Sequence, residues 1–174
     1  MLFRSYLLHW RGSTPLAETV EAMEALVAAG KIRMWGVSNL DTDDMEELLA
    51  AGGRRCATNQ ILYNLGRRGC EFDLLPLLRR HHIPAMAYSP VEQGRLANHP
   101  TLRQIATDRG VKPLQVALAW ALAQPDVLVI PKAGTIDHVR ENAAAATMSL
   151  EASDIAKLEA AFPAPNRRRS LEML

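Results

Sequence analysis

The chain has 174 residues, 48% hydrophobic and 22% charged, the proportions of a soluble globular domain with a sizeable core. Twenty basic residues against nineteen acidic ones leave a net charge of +1, which excludes a broad electrostatic footprint for nucleic acid. Cys56 and Cys70 make no disulfide framework or metal-type cluster, and no apolar run is long enough to span a bilayer, so a cytoplasmic protein with reduced thiols and no membrane partner is expected.

In chain order, residues 6–10 form a continuous apolar run interrupted by His9, the pattern of a strand covered on both faces. Thr14 offers a helix N-cap and Pro15 suits the first helical position. Leu16, Val20, Met23 and Val27 follow at helical spacing, and Gly30 supplies the stop. The cycle repeats with a strand over 32–37 and a helix over 43–50 whose acidic first turn suits the helix dipole. Residues 56–61 read as the next strand, 72–81 as a helix and 83–88 as a fourth strand. Helical patterns follow at 102–108 and 113–123. The second is apolar nearly all round (Leu114, Ala117, Leu118, Trp120, Ala121, Leu122) and should be well buried. A fifth strand over 127–130, a helix over 136–145 and an amphipathic helix over 153–162 complete the pattern. The run Arg167-Arg168-Arg169 reads as part of a solvated tail.

Strands alternating with helices imply parallel βαβ units and an α/β fold. Five such strands suit either an open doubly wound sheet or most of an eight-stranded barrel, which usually needs about 250 residues. Periodicity does not choose between them. The polar residues do more, because they fall where each strand ends: His9, Ser38-Asn39, Asn59-Gln60, Tyr88-Ser89 and Lys132. A lone histidine on an apolar strand is more often a satisfied core residue, and a lone lysine is usually just solvated. Five polar stops in the same topological position are much harder to read as accident, and barrel enzymes gather functional residues there.

With these residues in view, the sequence resembles the aldo-keto reductases. Leu7-Leu8-His9-Trp10 looks like that family's fourth-strand motif, and Gly30-Lys31-Ile32-Arg33 leading to Gly36-Val37-Ser38-Asn39 looks like its fifth. Asn59-Gln60, Ala87-Tyr88-Ser89-Pro90 and Ile130-Pro131-Lys132 resemble the next three strands in order, and the likeness extends from Tyr6 to Pro165. Its flavour is that of small bacterial reductases of short aldehydes and dicarbonyls. The resemblance implies a (β/α)8 TIM-barrel fold, incomplete here, with strands four to eight present and the first three βα units absent. Residues 6–165 would form the truncated barrel domain and 166–174 a C-terminal tail. Met1-Leu2-Phe3-Arg4-Ser5 lacks the acidic, Leu-rich approach to the histidine strand, so 1–5 reads as a non-native start translated from an adapter end.

The resemblance also implies an NADP(H)-dependent oxidoreductase acting on a small-molecule carbonyl substrate, with NAD(H) as an alternative cofactor. His9 would orient the substrate carbonyl and Trp10 would line the substrate pocket. Ser38, Asn39 and Gln60 would hold the nicotinamide carboxamide, and Tyr88 would stack on the ring. Ser89, Pro90, Val91 and Gly94 would contact the pyrophosphate; no G-x-G-x-x-G disfavours a Rossmann site. Lys132, Thr135 and His138 would meet the 2′-phosphate, and Glu141 and Asn142 the adenine edge. His138 stands where many members carry an arginine, which leaves NADH use open. The family's catalytic tyrosine, lysine and aspartate come from the first three strands, so impaired turnover is expected. The alternative is a non-catalytic nucleotide- or partner-binding fragment. Exposed barrel edges would favour self-association.

Overall fold

The computed structural model describes residues 3–174. Five strands alternate with seven α-helices: β1 (Phe3–Leu8), α1 (Leu16–Ala28), β2 (Ile32–Ser38), α2 (Thr42–Ala50), β3 (Asn59–Leu62), α3 (Leu74–Arg80), β4 (Ala85–Tyr88), α4 (Pro100–Arg109), α5 (Pro113–Leu122), β5 (Val127–Val129), α6 (Ile136–Ala145) and α7 (Ala152–Ala161). The strands form one parallel sheet in the order β1-β2-β3-β4-β5. A doubly wound sheet reverses its strand order at a switch point. Here each strand pairs with the next in sequence, which is the winding of a barrel wall.

Local chemistry explains the element ends. Asp41 caps α2, its carboxylate accepting from Asp44 N at 2.9 Å while Asp44 accepts in return from Asp41 N at 3.3 Å. Gly110, with φ +66°, ends α4 in the left-handed conformation that glycine adopts without strain. Gly36 serves a different purpose. A Cβ there would lie 2.6 Å from the Thr58 carbonyl oxygen, so its absence lets β2 approach the segment entering β3.

Several expected boundaries move. Pro15, not Thr14, is the N-cap of α1, and no side chain caps that helix. The 56–61 strand begins later, at Asn59, although Ala57 N still donates to Trp35 O at 2.8 Å. A 3-10 turn over Gly69–Glu71 precedes α3, which leaves Phe72 exposed outside the helix. Strand β1 starts at Phe3 and ends at Leu8, so Arg4 and Ser5 are strand residues; Met1 and Leu2 of the expected non-native start lie outside the described residues. The expectation for α5 holds over its middle, where every residue from Val116 to Ala121 is buried, but not at its ends: Leu114 is half-buried and Leu122 is exposed.

The core lies between the helices and one face of the sheet. Trp35, Val37, Ile61, Ala85 and Ala87 meet residues such as Leu16, Val20, Leu48 and Trp120 there. Paired residues of a parallel sheet share a face and successive residues alternate, so Ser38, Gln60, Met86 and Leu128, joined by register, project from the other face. That face is bare in part, with Met34 47% and Leu128 49% exposed. Tyr6, on the edge strand β1, is 52% exposed. The expectation of a first strand covered on both faces therefore fails: Leu8 packs against the core, but Tyr6 is left exposed. No described helix is long and apolar enough to cross a membrane.

Candidate functional site

At the C-terminal ends of β1, β2 and β4 the chain gathers a compact polar cluster. Ser38 closes β2 and is buried; Asn39 follows it, also buried, with φ +58°. Asparagine tolerates the left-handed region better than most residues, and this turn aims its amide across the strand ends. Asn39 Oδ1 accepts from the Tyr88 hydroxyl at 3.1 Å, and Asn39 Nδ2 donates to the His9 carbonyl at 3.5 Å. Burial pushes the Tyr88 hydroxyl pKa up, opposed by the nearby backbone of Leu174. His9 is exposed and its ring lies 5.4 Å from that of Trp10, which rules out a core histidine.

Gln60 needs a correction. It does not follow its strand; it lies within β3, which runs on to Leu62. Register explains why it still belongs to the cluster. Gln60 pairs with Ser38 on one side and Met86 on the other, and its amide nitrogen lies 3.4 Å from Met86 Sδ. Its neighbour Asn59 faces the core side, where Nδ2 donates to Leu40 O at 2.7 Å.

Tyr88 connects this cluster to a cavity of about 690 Å³. Its lining includes Ser89, Pro90, Val91 and Gly94 on one wall, Lys132 beyond β5, and His138, Glu141 and Asn142 on α6. Residues expected from three separate stretches of sequence thus converge on one space. His138, Glu141 and Asn142 share a face because residues three and four apart on a helix are neighbours. Thr135 is the exception. It is not among the lining residues and instead caps α6, accepting from His138 N at 3.2 Å.

The segment after β4 is locally strained: Ser89, Glu92 and Gln93 have positive φ, a conformation the adjoining Gly94 adopts freely. A buried carboxylate holds it. Glu92 accepts from Arg67 Nη2 at 2.9 Å and from Asn64 Nδ2 at 2.8 Å, and Asn64 Nδ2 also reaches the Ser89 carbonyl at 2.9 Å. Burial raises the carboxyl pKa of Glu92, but the Arg67 and Asn64 hydrogen bonds outweigh it and hold the value below the ordinary range. Sequence reasoning missed this support, since Asn64, Arg67 and Glu92 are brought together only by the fold. It also missed Lys112 and Gln115, which line the cavity from the start of α5.

The tail is a second correction. Residues around Arg168 are not simply solvated: its guanidinium pairs with Asp73 at 2.9 Å and Asp43 at 2.8 Å, and Glu172 pairs with Arg67 at 2.6 Å. Leu171 packs on the core. A smaller cleft of about 390 Å³ lies beside this tail, between Asp41, Asp73 and Arg168, away from the expected site residues.

Residues 5–162 match the model of the aldo/keto reductase family. The chain belongs to that family. This aldo/keto reductase chain is 50% identical to "Methylglyoxal reductase YeaE" of Escherichia coli over 175 residues, covering 97% of the chain and 62% of that protein. It is 33% identical to the "NADH-specific methylglyoxal reductase" of Escherichia coli, over 86% of the chain and 56% of the relative. A crystal structure of an aldo/keto reductase from Klebsiella pneumoniae in complex with NADP and acetate superposes with a TM-score of 0.97 at 51% identity, covering 99% of this chain and 63% of that one. The chain therefore spans less than two thirds of the length of these relatives.

Proposed function

We propose that this chain carries the nucleotide-binding part of an NADP(H)-dependent oxidoreductase that reduces small aldehydes or ketones to alcohols. The observation that carries the reading is the single cavity lined by Ser89 to Gly94, Lys132, His138, Glu141 and Asn142. Its chemistry suits a dinucleotide: ammonium and imidazole groups for phosphate, a carboxylate and an amide for the donors and acceptors of a base. The Klebsiella pneumoniae relative crystallised with NADP supports the same choice. The NADH-specific relative keeps NAD(H) as the alternative.

When bound, the nicotinamide supplies a hydride for carbonyl reduction. Ser38, Asn39 and Gln60 hold its carboxamide, with Asn39 fixed in advance by the Tyr88 hydroxyl. The Tyr88 ring provides the stacking surface. His9, exposed just beyond β1, orients the substrate oxygen, and Trp10 beside it lines the substrate side. Lys132 and His138 take the 2′-phosphate, and Thr135 acts through the cap that places His138. Glu141 and Asn142 meet the adenine.

A second reading is that the chain holds nucleotide, or a protein partner, without turnover. The tyrosines favour it. Tyr6 lies inside β1, Tyr63 is fully buried and donates to Glu71 at 2.7 Å, and the Tyr88 hydroxyl is engaged with Asn39. Tyr63 and Tyr88 are therefore not free general acids, and Tyr6 sits within its strand, short of the end where the polar cluster gathers. On this reading β1 to β5 correspond to barrel strands four to eight, and the catalytic tyrosine, lysine and aspartate belong to the first three βα units. The edge strands β1 and β5 and the bare residues Met34 and Leu128 would then support self-association.

Titrating the purified chain with NADPH and NADH, followed by an assay of methylglyoxal reduction, separates the readings. Saturable binding with turnover supports the reductase. Binding without turnover supports the fragment reading. Binding of neither nucleotide rejects the nucleotide site itself.

A further inference from the structure

Two ammonium groups line the cavity, Lys132 and Lys112, and one carboxylate, Glu141. Lys132 leads towards α6. Lys112 comes from the opposite wall, immediately before α5, and its Nζ is ion-paired with Glu141. Gln115 strengthens this junction twice: its Oε1 accepts from Lys112 N at 3.0 Å, and its Nε2 donates to the Glu141 carbonyl at 3.0 Å. The start of α5 and the middle of α6 are thereby fixed against each other, while the Lys112 ammonium remains 63% exposed at the side chain.

We propose that Lys112 is a specificity-determining residue, which leaves Glu141 on nucleotide binding and supplies a second permanent positive charge to the phosphorylated ribose. The inference rests on the nucleotide reading above. Glu141 lies one turn beyond His138 on the same face of α6. Three residues rise about 4.5 Å along a helix, a distance that rotation of a lysine's four-carbon stem covers. An anion at the first turn of α6, where backbone N–H groups and the helix dipole favour negative charge, is therefore within reach of both lysines. The exchange costs little, because an exposed ion pair contributes little to stability. It also frees the Glu141 carboxylate to accept from the amino group of the base. The phosphate gains a charge-assisted partner only when the 2′-position is phosphorylated, so Lys112 discriminates between the two dinucleotides instead of strengthening both.

The test is a fluorescence titration of the wild-type chain, Lys112→Gln and Lys112→Arg with NADPH and NADH, with adenosine 2′,5′-bisphosphate and AMP as competing fragments. Expected for Lys112→Gln is a loss of about tenfold for NADPH and for the bisphosphate, with NADH and AMP within about twofold of wild type. Lys112→Arg, which keeps the charge, should retain most of the preference. Unchanged NADPH affinity in Lys112→Gln, or equal weakening of NADPH and NADH, overturns the assignment while leaving the nucleotide site in place. A wild-type chain that binds none of the four ligands overturns the nucleotide reading and this inference together. Lys112 is exposed, and matching thermal midpoints for the three proteins exclude a folding artefact.

Discussion

The strand-end cluster and the cavity beside α6 meet at the Tyr88–Ser89 peptide, yet they are built in opposite ways. In the cluster, Ser38 and Asn39 are buried, and Asn39 is already bonded to Tyr88 and to the His9 backbone. In the cavity, Lys112, Lys132 and His138 are exposed, and the ion pair between Lys112 and Glu141 is one that a ligand can replace. The first region is organised before any ligand arrives, which limits the entropy lost on binding. The second keeps its charges in water, where they steer an anionic ligand and lose little when they change partner. Between them runs the strained segment from Ser89 to Gly94, shaped by Glu92. A variant that relaxes this segment should erase the difference between the two regions, and one that touches only the cavity should sharpen it.

The largest effect is expected from Glu92→Ala. It leaves Asn64 and Arg67 without the carboxylate that binds them and removes the restraint on the positive-φ segment from Ser89 to Gly94. A loss of about 2–3 kcal/mol is expected from hydrogen bonds to a buried charge, read as a lower urea midpoint. The same group gives the chain an acid limit. Its folded pKa is lowered, so its contribution is complete above the ordinary carboxyl value of about 4.3 and is lost as pH falls through the lowered folded value. Glu92→Gln should therefore flatten the acid side of a stability-against-pH curve. A midpoint for Glu92→Ala equal to wild type would show that the segment holds its shape without Glu92.

Next comes Gly36→Ala, beneath the cluster and remote from the cavity. The added methyl would lie 2.6 Å from Thr58 O and 2.9 Å from Thr58 Cγ2. Separating β2 from the entry to β3 should cost about 2 kcal/mol, within the usual range for overpacking. Because Ser38 and Gln60 ride on those strands, the nicotinamide end should loosen while binding of adenosine 2′,5′-bisphosphate holds. Equal loss for the fragment and for NADPH would mean that the two regions are not separable.

Residue pattern and structure agree where one residue's chemistry suffices. The burial of α5 follows from an apolar circumference, and the polar stops at His9, Ser38, Asn39 and Tyr88 do gather at one end of the sheet. The choice between barrel wall and doubly wound sheet depends on strand order, which periodicity does not encode. The exposure of Tyr6, Met34 and Leu128 was illegible for a related reason: an apolar strand residue records what the strand can bury, not whether a neighbour is there to bury it. Arg168 and Glu172 read as tail residues because their partners, Asp43, Asp73 and Arg67, are about a hundred or more positions away. Thr135 carries a signal for two roles, and only the cap is observed.

On the cavity side, Lys132→Gln should weaken NADPH by about tenfold, or 1.4 kcal/mol, and leave NADH nearly unchanged, since it removes one exposed charge and no packing. Paired with Lys112→Gln it also measures whether the two lysines act on the same phosphate: a double variant losing less than the two single losses combined would show that they do. The smallest effect belongs to the preorganised side. Tyr88→Phe keeps the ring that would stack on nicotinamide and removes the hydroxyl that donates to Asn39 Oδ1 at 3.1 Å. Stacking should survive, so the affinity for oxidised and reduced cofactor should stay within about twofold, and stability should fall by no more than about 1 kcal/mol. Tyr88→Ala, by contrast, removes the stacking surface and should weaken both dinucleotides alike. If Tyr88→Phe instead behaves like Tyr88→Ala, the tyrosine acts through its hydroxyl and Asn39, and the organisation of the cluster, not the ring, is what the nicotinamide end recognises.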